Sequence, residues 1–275
     1  MTTDTTTSLP PSTGPGSRRP DAGLRTSLRI LGVGLALLGV GWGALSLASL
    51  LARATEHRSA SYDGVRTIDL NLGFESVQIV GAADATAVSM TRSYTWSLGK
   101  PSISNSLNGG VLSIRSSCPF SVGLGCSGHV GLVVPKDLAV LVHTSNGSLT
   151  LHNLDGAVDV TTSNGSVTAS NLSGRVTLRS SNGAVLATGL RSDGVDVATS
   201  NGEVRLSFQT APSTVTARSS NGSIEVAVPS DGTSYHVTAT TSNGNRDVSV
   251  PTDPSSTRRM QLSTSNGSIR VLNRR

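Results

Sequence analysis

Few side chains in this sequence have the types and spacing that catalysis or metal binding requires. Its five histidines are His57, His129, His143, His152 and His236. His143 and His152 flank an Asn-Gly pair and are the best candidates for a metal pair, but no constellation of cysteines or carboxylates accompanies them. No pattern places a serine beside a general base. We therefore expect solvent-facing histidines, no metal or other cofactor, and a protein that is not an enzyme.

Asp-Gly pairs are the second candidate for ion binding, and they occur at Asp63, Asp155, Asp193 and Asp231. A calcium-binding β-roll needs the repeated nonapeptide GGxGxDxUx, which this sequence lacks. We interpret the four pairs as turns.

The two cysteines, Cys118 and Cys126, lie in the segment SSCPFSVGLGCS. In an exported domain, an even pair so closely spaced predicts a disulfide. Closing such a short loop would stabilise the fold by roughly 2–3 kcal/mol in the chain-entropy model. A metal or redox site is the alternative, although no CxxC spacing occurs and the nearest histidine, His129, stands alone.

The triplet Ser-Asn-Gly occurs seven times, with asparagines 18, 18, 19, 20, 22 and 23 residues apart. Each asparagine has Thr or Ser two residues before it. Aliphatic residues or Met stand six and four before it and three and five after it, except that Arg246 takes the +3 position of the sixth copy. The Asn-Gly pairs are Asn146 and Gly147, Asn164 and Gly165, Asn182 and Gly183, Asn201 and Gly202, Asn221 and Gly222, Asn243 and Gly244, and Asn266 and Gly267.

These patterns define the elements that would position the triplets. Period-two alternation predicts β-strands with one buried row of side chains. A fixed period near 20 residues predicts a repeat architecture, in which each unit buries its face by stacking on its neighbours. Each unit has room for two short strands, one before and one after Ser-Asn-Gly, since Asn and Gly tolerate the positive φ of sharp corners.

An antiparallel meander is the alternative, because Asn-Gly between alternating strands also favours a two-residue hairpin. Seven hairpins in series would leave one apolar face uncovered, and open sheets rarely exceed about ten strands. A solenoid instead brings the two strands of a coil face to face and stacks equivalent residues about 4.8 Å apart. We therefore predict an all-β fold, a parallel β-solenoid with coils of 18–23 residues.

Four regions follow along the chain. Residues 1–26 are rich in Thr, Pro, Gly and Ser and are predicted to be a disordered cytoplasmic tail. Residues 27–53 hold the apolar anchor, residues 54–138 form an irregular N-terminal part that caps the solenoid and carries the cysteine loop, and residues 139–275 form the regular repeat. At the far end, we expect Arg270, Arg274 and Arg275 to place charge on the edge strand, which deters sheet-to-sheet aggregation.

The apolar segment from Ile30 to Leu51 has 22 residues without a charge, enough to span a bilayer as one helix. A cleaved signal peptide is the alternative, with Ala52-Arg53-Ala54 as its cleavage site, but its apolar region would run only about 7–15 residues. Arginines before the segment predict a cell-membrane protein with a single pass, its N-terminus cytoplasmic and its C-terminal domain extracellular. They are Arg18, Arg19, Arg25 and Arg29.

The net charge of +5 gives no reason to expect nucleic-acid binding. Up to Ala54 the chain carries five arginines and two aspartates, so more than half of the excess flanks the apolar segment. The remainder, with 17 basic and 15 acidic residues, has no dominant basic patch in sequence.

The order of these features resembles a family of bacterial envelope proteins known as "putative adhesin", a domain of unknown function. The matching features are the anchor, the segment from Cys118-Pro119 to Cys126, Val133-Val134-Pro135, and the serial Thr-Ser-Asn-Gly coils. The resemblance covers about residues 55–275. It implies a right-handed parallel β-solenoid outside the cell, and it carries over no catalytic residue and no defined ligand.

Two non-catalytic functions fit these features. The first is an adhesin-like module that binds or scaffolds at the cell envelope, with a cell-wall glycan or another envelope protein as partner and the stacked Ser-Asn-Gly corners as a polar stripe. In the alternative interpretation, the stripe only satisfies its own hydrogen bonds. The second is a tethered accessory or regulatory protein of an envelope stress-response system. A polysaccharide-cleaving enzyme would need clustered carboxylates, and the acidic residues here are scattered.

Overall fold

A computed structural model describes residues 31–43, 53–97, 99–119 and 126–274. The chain divides into two compact units, Met1–Leu50 and Leu51–Arg275. In the first unit, residues 31–43 form an α-helix, α1. No helix within the described ranges is both long enough and apolar enough to cross a membrane. The predicted tail, residues 1–26, lies outside the described residues. So do residues 27–30 and 44–52 of the predicted anchor.

The second unit is built of β-strands. They are β1 (Ala54–Tyr62), β2 (Thr67–Leu72), β3 (Glu75–Ala82), β4 (Val88–Trp96), β5 (Ser102–Asn108), β6 (Val111–Ser117), β7 (Ser127–Pro135), β8 (Ala139–Asn146), β9 (Leu149–His152), β10 (Val158–Asn164), β11 (Val167–Ser170), β12 (Val176–Ser180), β13 (Val185–Leu190), β14 (Gly194–Thr199), β15 (Val204–Phe208), β16 (Thr214–Asn221), β17 (Ile224–Val228), β18 (His236–Asn243), β19 (Arg246–Ser249), β20 (Arg259–Asn266) and β21 (Ile269–Asn273).

These strands form two sheets, and the chain alternates between them at each Ser-Asn-Gly corner. One sheet has 11 strands in the order β1-β4-β7-β3-β9-β11-β13-β15-β17-β21-β19, and the other has 10 in the order β18-β20-β16-β14-β12-β10-β8-β2-β6-β5. Strands β8 and β9, on either side of the first corner, pair in parallel with strands of neighbouring coils and not with each other. The prediction of an all-β, parallel β-rich fold is confirmed, and the antiparallel meander is wrong.

Equivalent residues of successive coils lie opposite one another. Val140, Val158 and Val176 are in register along one sheet, and Leu149, Val167 and Val185 along the other. All six are at most 2% exposed. Two thin aliphatic faces therefore meet in one continuous core, and each coil completes the burial of its neighbours.

The order of the coils in space differs from their order in sequence at both ends. Coil β2–β3 lies between β6–β7 and β8–β9. Coil β20–β21, the last in sequence, lies between β16–β17 and β18–β19. The expectation that Arg270 and Arg274 guard an edge strand is therefore wrong, because β21 has a strand on each side. Arg275 lies outside the described residues.

Antiparallel strands close the N-terminal end of the stack. Strand β4 pairs with β7 and β1 with β4 in the first sheet, and β5 pairs with β6 in the second. Within residues 54–138, which sequence assigns to an irregular cap, the structure thus contains two parallel coils, β2–β3 and β6–β7, and three antiparallel capping strands. Cys118 and Cys126 form a disulfide between β6 and β7, with their Cα atoms 6.0 Å apart.

Candidate binding surface

The seven Ser-Asn pairs of the triplets form two exposed columns along one corner of the stack, which we term the Ser-Asn stripe. In every Ser-Asn-Gly triplet, both the serine and the asparagine are exposed. The serines are Ser145, Ser163, Ser181, Ser200, Ser220, Ser242 and Ser265. No charged side chain belongs to the stripe.

The asparagines are joined side chain to side chain in a continuous hydrogen-bonded ladder. At its start, Asn146 Nδ2 donates to the Gly73 carbonyl at 3.3 Å. Each later carboxamide donates from Nδ2 to the Oδ1 of the preceding coil, over 2.8–3.1 Å, in the spatial order Asn146, Asn164, Asn182, Asn201, Asn221, Asn266 and Asn243. The predicted stripe therefore exists, and much of its polarity serves the fold.

The ladder leaves hydrogen-bonding capacity unused. A carboxamide has two N–H donors and two acceptor lone pairs, and an inner ladder member uses one of each on its ladder neighbours. Asn182 makes one more bond, since its Nδ2 also donates to the Ser163 carbonyl at 3.4 Å. The hydroxyls of Ser163, Ser181 and Ser200 make no hydrogen bond within the described part of the chain. Along the stripe, donors and acceptors that face water thus recur once per coil.

The glycine of each triplet is required by close approach of the backbones. A Cβ on Gly165 would lie 2.0 Å from the Gly147 carbonyl oxygen, and one on Gly183 would lie equally close to the Gly165 carbonyl. None of the seven asparagines has positive φ; among described non-glycine residues, Asn153 and Asn171 do. The explanation of the Asn residues by positive φ was therefore wrong for these corners.

In five of the seven copies, the Thr or Ser two residues before the asparagine donates to a glycine carbonyl of a neighbouring coil. Ser180 Oγ donates to the Gly165 carbonyl at 3.1 Å, and Thr199 Oγ1 donates to the Gly183 carbonyl at 3.1 Å. The same bond recurs from Ser219, Thr264 and Thr241 at 2.8–3.0 Å. A buried carbonyl without a partner is costly, which explains the hydroxyl in these five copies. In the first two copies, the buried hydroxyls of Thr144 and Thr162 have no hydrogen-bond partner among the described residues.

The histidines do not come together. His143 is exposed on the outer face of β8, and His152 is hydrogen-bonded through Nδ1 to Ser170 Oγ. Across the described ranges, no group of His, Cys, Asp or Glu residues could hold a metal ion. Charges on the outer faces are paired across strands, such as Arg179 with Asp196 at 3.5 Å and Arg270 with Glu225 at 3.3 Å.

The C-terminal end of the stack is a cleft that sequence reasoning did not anticipate. Its volume is roughly 480 Å³, and half-buried Val237 and Val248 lie in its wall beside Arg246. Arg246 stands opposite Ile269 of the next coil, and its Nη1 donates to the Ala239 carbonyl at 3.2 Å. In the sequence, Arg246 already stands out as the one charged residue at the +3 position of a triplet. Only the order of strands in the sheets shows that its coil, β18–β19, is the last in space.

Tyr235 lines the same cleft and is 1% exposed. Its hydroxyl has no hydrogen-bond partner among the described residues. Burial raises the pKa of Tyr235 to about 12, and the Asp231 carboxylate adds to the shift. Nearby, hydrogen bonds from Ser255 hold the pKa of Asp253 below its ordinary value.

A charged cluster occupies the N-terminal end, between β1, β4 and the start of β5. Glu56 pairs with Lys100 at 2.9 Å and also with Arg58, and the hydrogen bonds from Lys100 and then Arg58 lower the pKa of Glu56. Lys100 also lies over the Trp96 ring, 5.5 Å from its centroid. Residues 97–100 have S-x-x-K spacing, and the Lys100 ammonium is held by the Glu56 carboxylate and the Trp96 ring.

These observations define a class: a two-sheet stack of parallel β-coils with a polar, uncharged corner. Residues 77–272 match the Toastrack DUF4097 family model, and the chain belongs to that family. Comparison of the sequence with curated proteins gives no match.

Solved structures of low sequence identity are similar to the chain. A putative adhesin from Parabacteroides distasonis is 13% identical, with a TM-score of 0.42, and covers 79% of this chain and 97% of its own. A putative adhesin from Bacteroides fragilis is 14% identical, with a TM-score of 0.37, over 80% of this chain and 97% of its own. A putative lipid binding protein from Parabacteroides distasonis is 13% identical, with a TM-score of 0.39, over the same shares.

Proposed function

We propose that this protein is a non-enzymatic, adhesin-like module that binds a glycan of the cell envelope along the Ser-Asn stripe. The supporting observation is the recurrence, once per coil, of an exposed serine hydroxyl and an exposed carboxamide with an acceptor lone pair that the ladder does not use. Repeat surfaces are commonly used to bind extended partners. A linear polymer lying along the stack meets the same pair of groups about every 4.8 Å.

The chemistry of the stripe favours a neutral polyhydroxyl ligand. Hydroxyls and carboxamides can each donate and accept, as sugar hydroxyls do. Nucleic acid is a poor fit, because binding a phosphate backbone depends on unpaired cations, and the stripe has none. The ladder adds rigidity, since the carboxamides are already held in place before a ligand arrives.

We place this module outside the cell, tethered to the membrane by the apolar segment from Ile30 to Leu51. Support comes from the sequence: an uncharged stretch of 22 residues, preceded by arginines that favour a cytoplasmic N-terminus. Protease treatment of intact cells tests this, since an external domain is digested while a cytoplasmic domain is protected.

The test of glycan binding uses the unit Leu51–Arg275, which has its own core. Binding to insoluble cell wall and to isolated neutral polysaccharides is measured for the native protein and for the triple variant S163A/S181A/S200A. These serines take no part in the ladder, so the fold stays intact. If each lost hydrogen bond weakens binding by about 1 kcal/mol, the variant binds roughly 100-fold less tightly.

The matched control is T150A/T168A/S207A, which removes three hydroxyls from the outer face of the other sheet. We expect its affinity to equal that of the native protein. Equal binding by the stripe variant and the native protein, or no binding of any cell-wall glycan by either, would contradict the proposal.

A scaffold for a partner envelope protein is the second candidate, and the C-terminal cleft favours it. Half-buried Val237 and Val248 line this cleft beside Arg246, so a partner that supplies apolar side chains and a carboxylate would fit it. Crosslinking from residue 237 in intact cells tests this candidate, because one specific membrane protein should be recovered.

A further inference from the structure

The asparagine ladder has one chemically distinct end. Asn243, in the coil that is last in space, donates to Asn266 Oδ1 at 2.9 Å. No described residue donates to its own Oδ1, whereas each of the other ladder asparagines accepts a bond from the next coil. One carboxamide of the seven is therefore held at one point only.

The backbone next to Asn243 is more exposed than that of inner corners, since Gly244 is exposed whereas Gly165 and Gly183 are buried. Within the described part of the chain, the Gly244 N–H makes no hydrogen bond, and neither do the N–H groups of those two inner glycines. The Gly267 N–H differs, because it donates to the Asn243 carbonyl at 2.9 Å. What sets Asn243 apart is therefore the hydrogen bonding of its side chain together with the exposure of the nitrogen that follows it.

Together these groups are the reactants of an intramolecular cyclisation. After loss of its proton, the Gly244 nitrogen attacks Asn243 Cγ, the new C–N bond closes a five-membered succinimide, and ammonia leaves with the carboxamide nitrogen. Water then adds to either carbonyl carbon of the ring, and the C–N bond that opens decides between aspartate and isoaspartate. Glycine favours the attack because it has no side chain to obstruct the nitrogen.

We propose that Asn243 is a site of spontaneous deamidation, and that the ladder protects the other six Ser-Asn-Gly asparagines from the same reaction. Rotation of an inner carboxamide toward the following nitrogen must first break two side-chain hydrogen bonds. At Asn243 the same rotation breaks only one side-chain hydrogen bond, the one to Asn266. The inference is independent of the proposed glycan binding.

The product changes the end of the stack. A carboxylate at position 243 has no hydrogen to donate to Asn266 Oδ1, so the bond that joins the last coil to the ladder is lost and replaced by repulsion between oxygens. Isoaspartate also lengthens the backbone by one carbon at a corner that packs against Gly267. Deamidation at this position therefore loosens β18–β19 and leaves the inner coils unchanged.

The experiment incubates the full chain in mildly alkaline buffer and follows each Ser-Asn-Gly peptide by mass spectrometry over time. We expect Asn243 to react about tenfold faster than Asn182 or Asn201, the effect of one fewer hydrogen bond of ordinary strength. In denaturant, where no ladder exists, the seven asparagines react at similar rates. Asn108, in a hairpin outside the ladder, does not enter the comparison.

Variant N266A separates the ladder from simple fraying of the end coil. It removes the acceptor of Asn243 and the donor to Asn221, so we expect both Asn243 and Asn221 to react faster while Asn182 is unchanged. Native rates at Asn243 no greater than at Asn182, or an unchanged rate at Asn221 in N266A, would overturn the proposal.

Discussion

Gly183 illustrates how closely the corners of neighbouring coils approach one another. A Cβ at this position would lie 2.0 Å from the Gly165 carbonyl oxygen and 2.9 Å from Ser180 Oγ. The backbone at Gly165 cannot move away from such a Cβ without breaking the register of both sheets. We expect Gly183→Ala to lower the free energy of unfolding by about 1–3 kcal/mol, the usual cost of overpacking.

Gly194→Ala is the matched control, because nothing lies within 4 Å of a Cβ built there. We expect it to be neutral or to stabilise by about 0.4–1 kcal/mol through the unfolded chain. Urea denaturation of both variants measures the difference. Equal destabilisation by the two substitutions would show that contact between corners is not what requires glycine.

Tyr235 makes stability depend on pH in the alkaline range. Its pKa is raised to about 12 in the fold, so the folded state favours the neutral phenol. That contribution is complete below the unfolded pKa of about 10 and is lost as pH rises toward about 12. Denaturation at a series of pH values should show Tyr235→Phe retaining more stability than the native protein above pH about 10.

At neutral pH, Tyr235→Phe should be neutral or stabilising, because it removes a buried hydroxyl without a described partner. Tyr62→Phe is the contrast, since the Tyr62 hydroxyl accepts a 2.8 Å hydrogen bond from Asn105. We expect it to lower stability at neutral pH. An identical alkaline loss in Tyr235→Phe and the native protein would assign the pH effect to other groups.

At the scale of elements, the coil β18–β19 is an edge with its own protection. Arg246 takes the inward position that Ile224 and Ile269 take in the two preceding coils, and it covers the end of the core with a guanidinium. Inward-pointing charge on an edge strand is a known defence against strand addition. It is this arginine, and not Arg270 or Arg274, that guards the C-terminal end.

Arg246→Val should therefore convert the end into an association surface. The substitution completes the aliphatic pattern and exposes an apolar end with two free strand edges, so we expect concentration-dependent oligomers by analytical ultracentrifugation. Arg205→Val removes the same charge from an outer face and should remain at the native association state. If the Arg246→Val variant is monomeric at all concentrations, Arg246 does not protect the C-terminal end against association.

At the scale of the whole molecule, the last coil in sequence is an interior coil in space. In a stack whose coils follow sequence order, removal of the last coil breaks one interface. Here, removal of residues 259–275 breaks two, those with β16–β17 and with β18–β19. We expect this truncation to lower the melting temperature and to abolish hydrogen-exchange protection of β18 and β19.

A shorter chain that ends at residue 229 provides the comparison. It ends the stack at β16–β17 in sequence order, and we expect its remaining coils to keep their native protection. The first truncation could instead leave β18 and β19 with native hydrogen-exchange protection, because they dock directly on β16–β17. That result would show that coil β20–β21 is not needed to hold β18–β19 in the stack.

The sequence by itself determined the repeating unit of this protein. Alternating aliphatic residues at fixed distances from each Asn-Gly pair specify two strands per coil, because strand side chains alternate between faces and a one-residue slip would expose the whole row. For the same reason the prediction of a parallel stack was possible for the regular coils, where equivalent positions carry equivalent residues.

Only the tertiary structure decided which coil lies beside which, and what each polar residue does there. The inward residues of β17 and β21 are alike, with Ile224 and Val226 in one strand and Ile269 and Val271 in the other, so either order of these two coils would bury similar area and the local pattern cannot choose between them. Thr199 donates to the carbonyl of Gly183, which is 16 residues away in sequence. Asn243 is the open end of the ladder and Arg246 protects the edge because no described strand lies beyond their coil. Stacking contacts join residues that are distant in the chain, and it is these contacts that turn a repeated corner into a surface with two different ends.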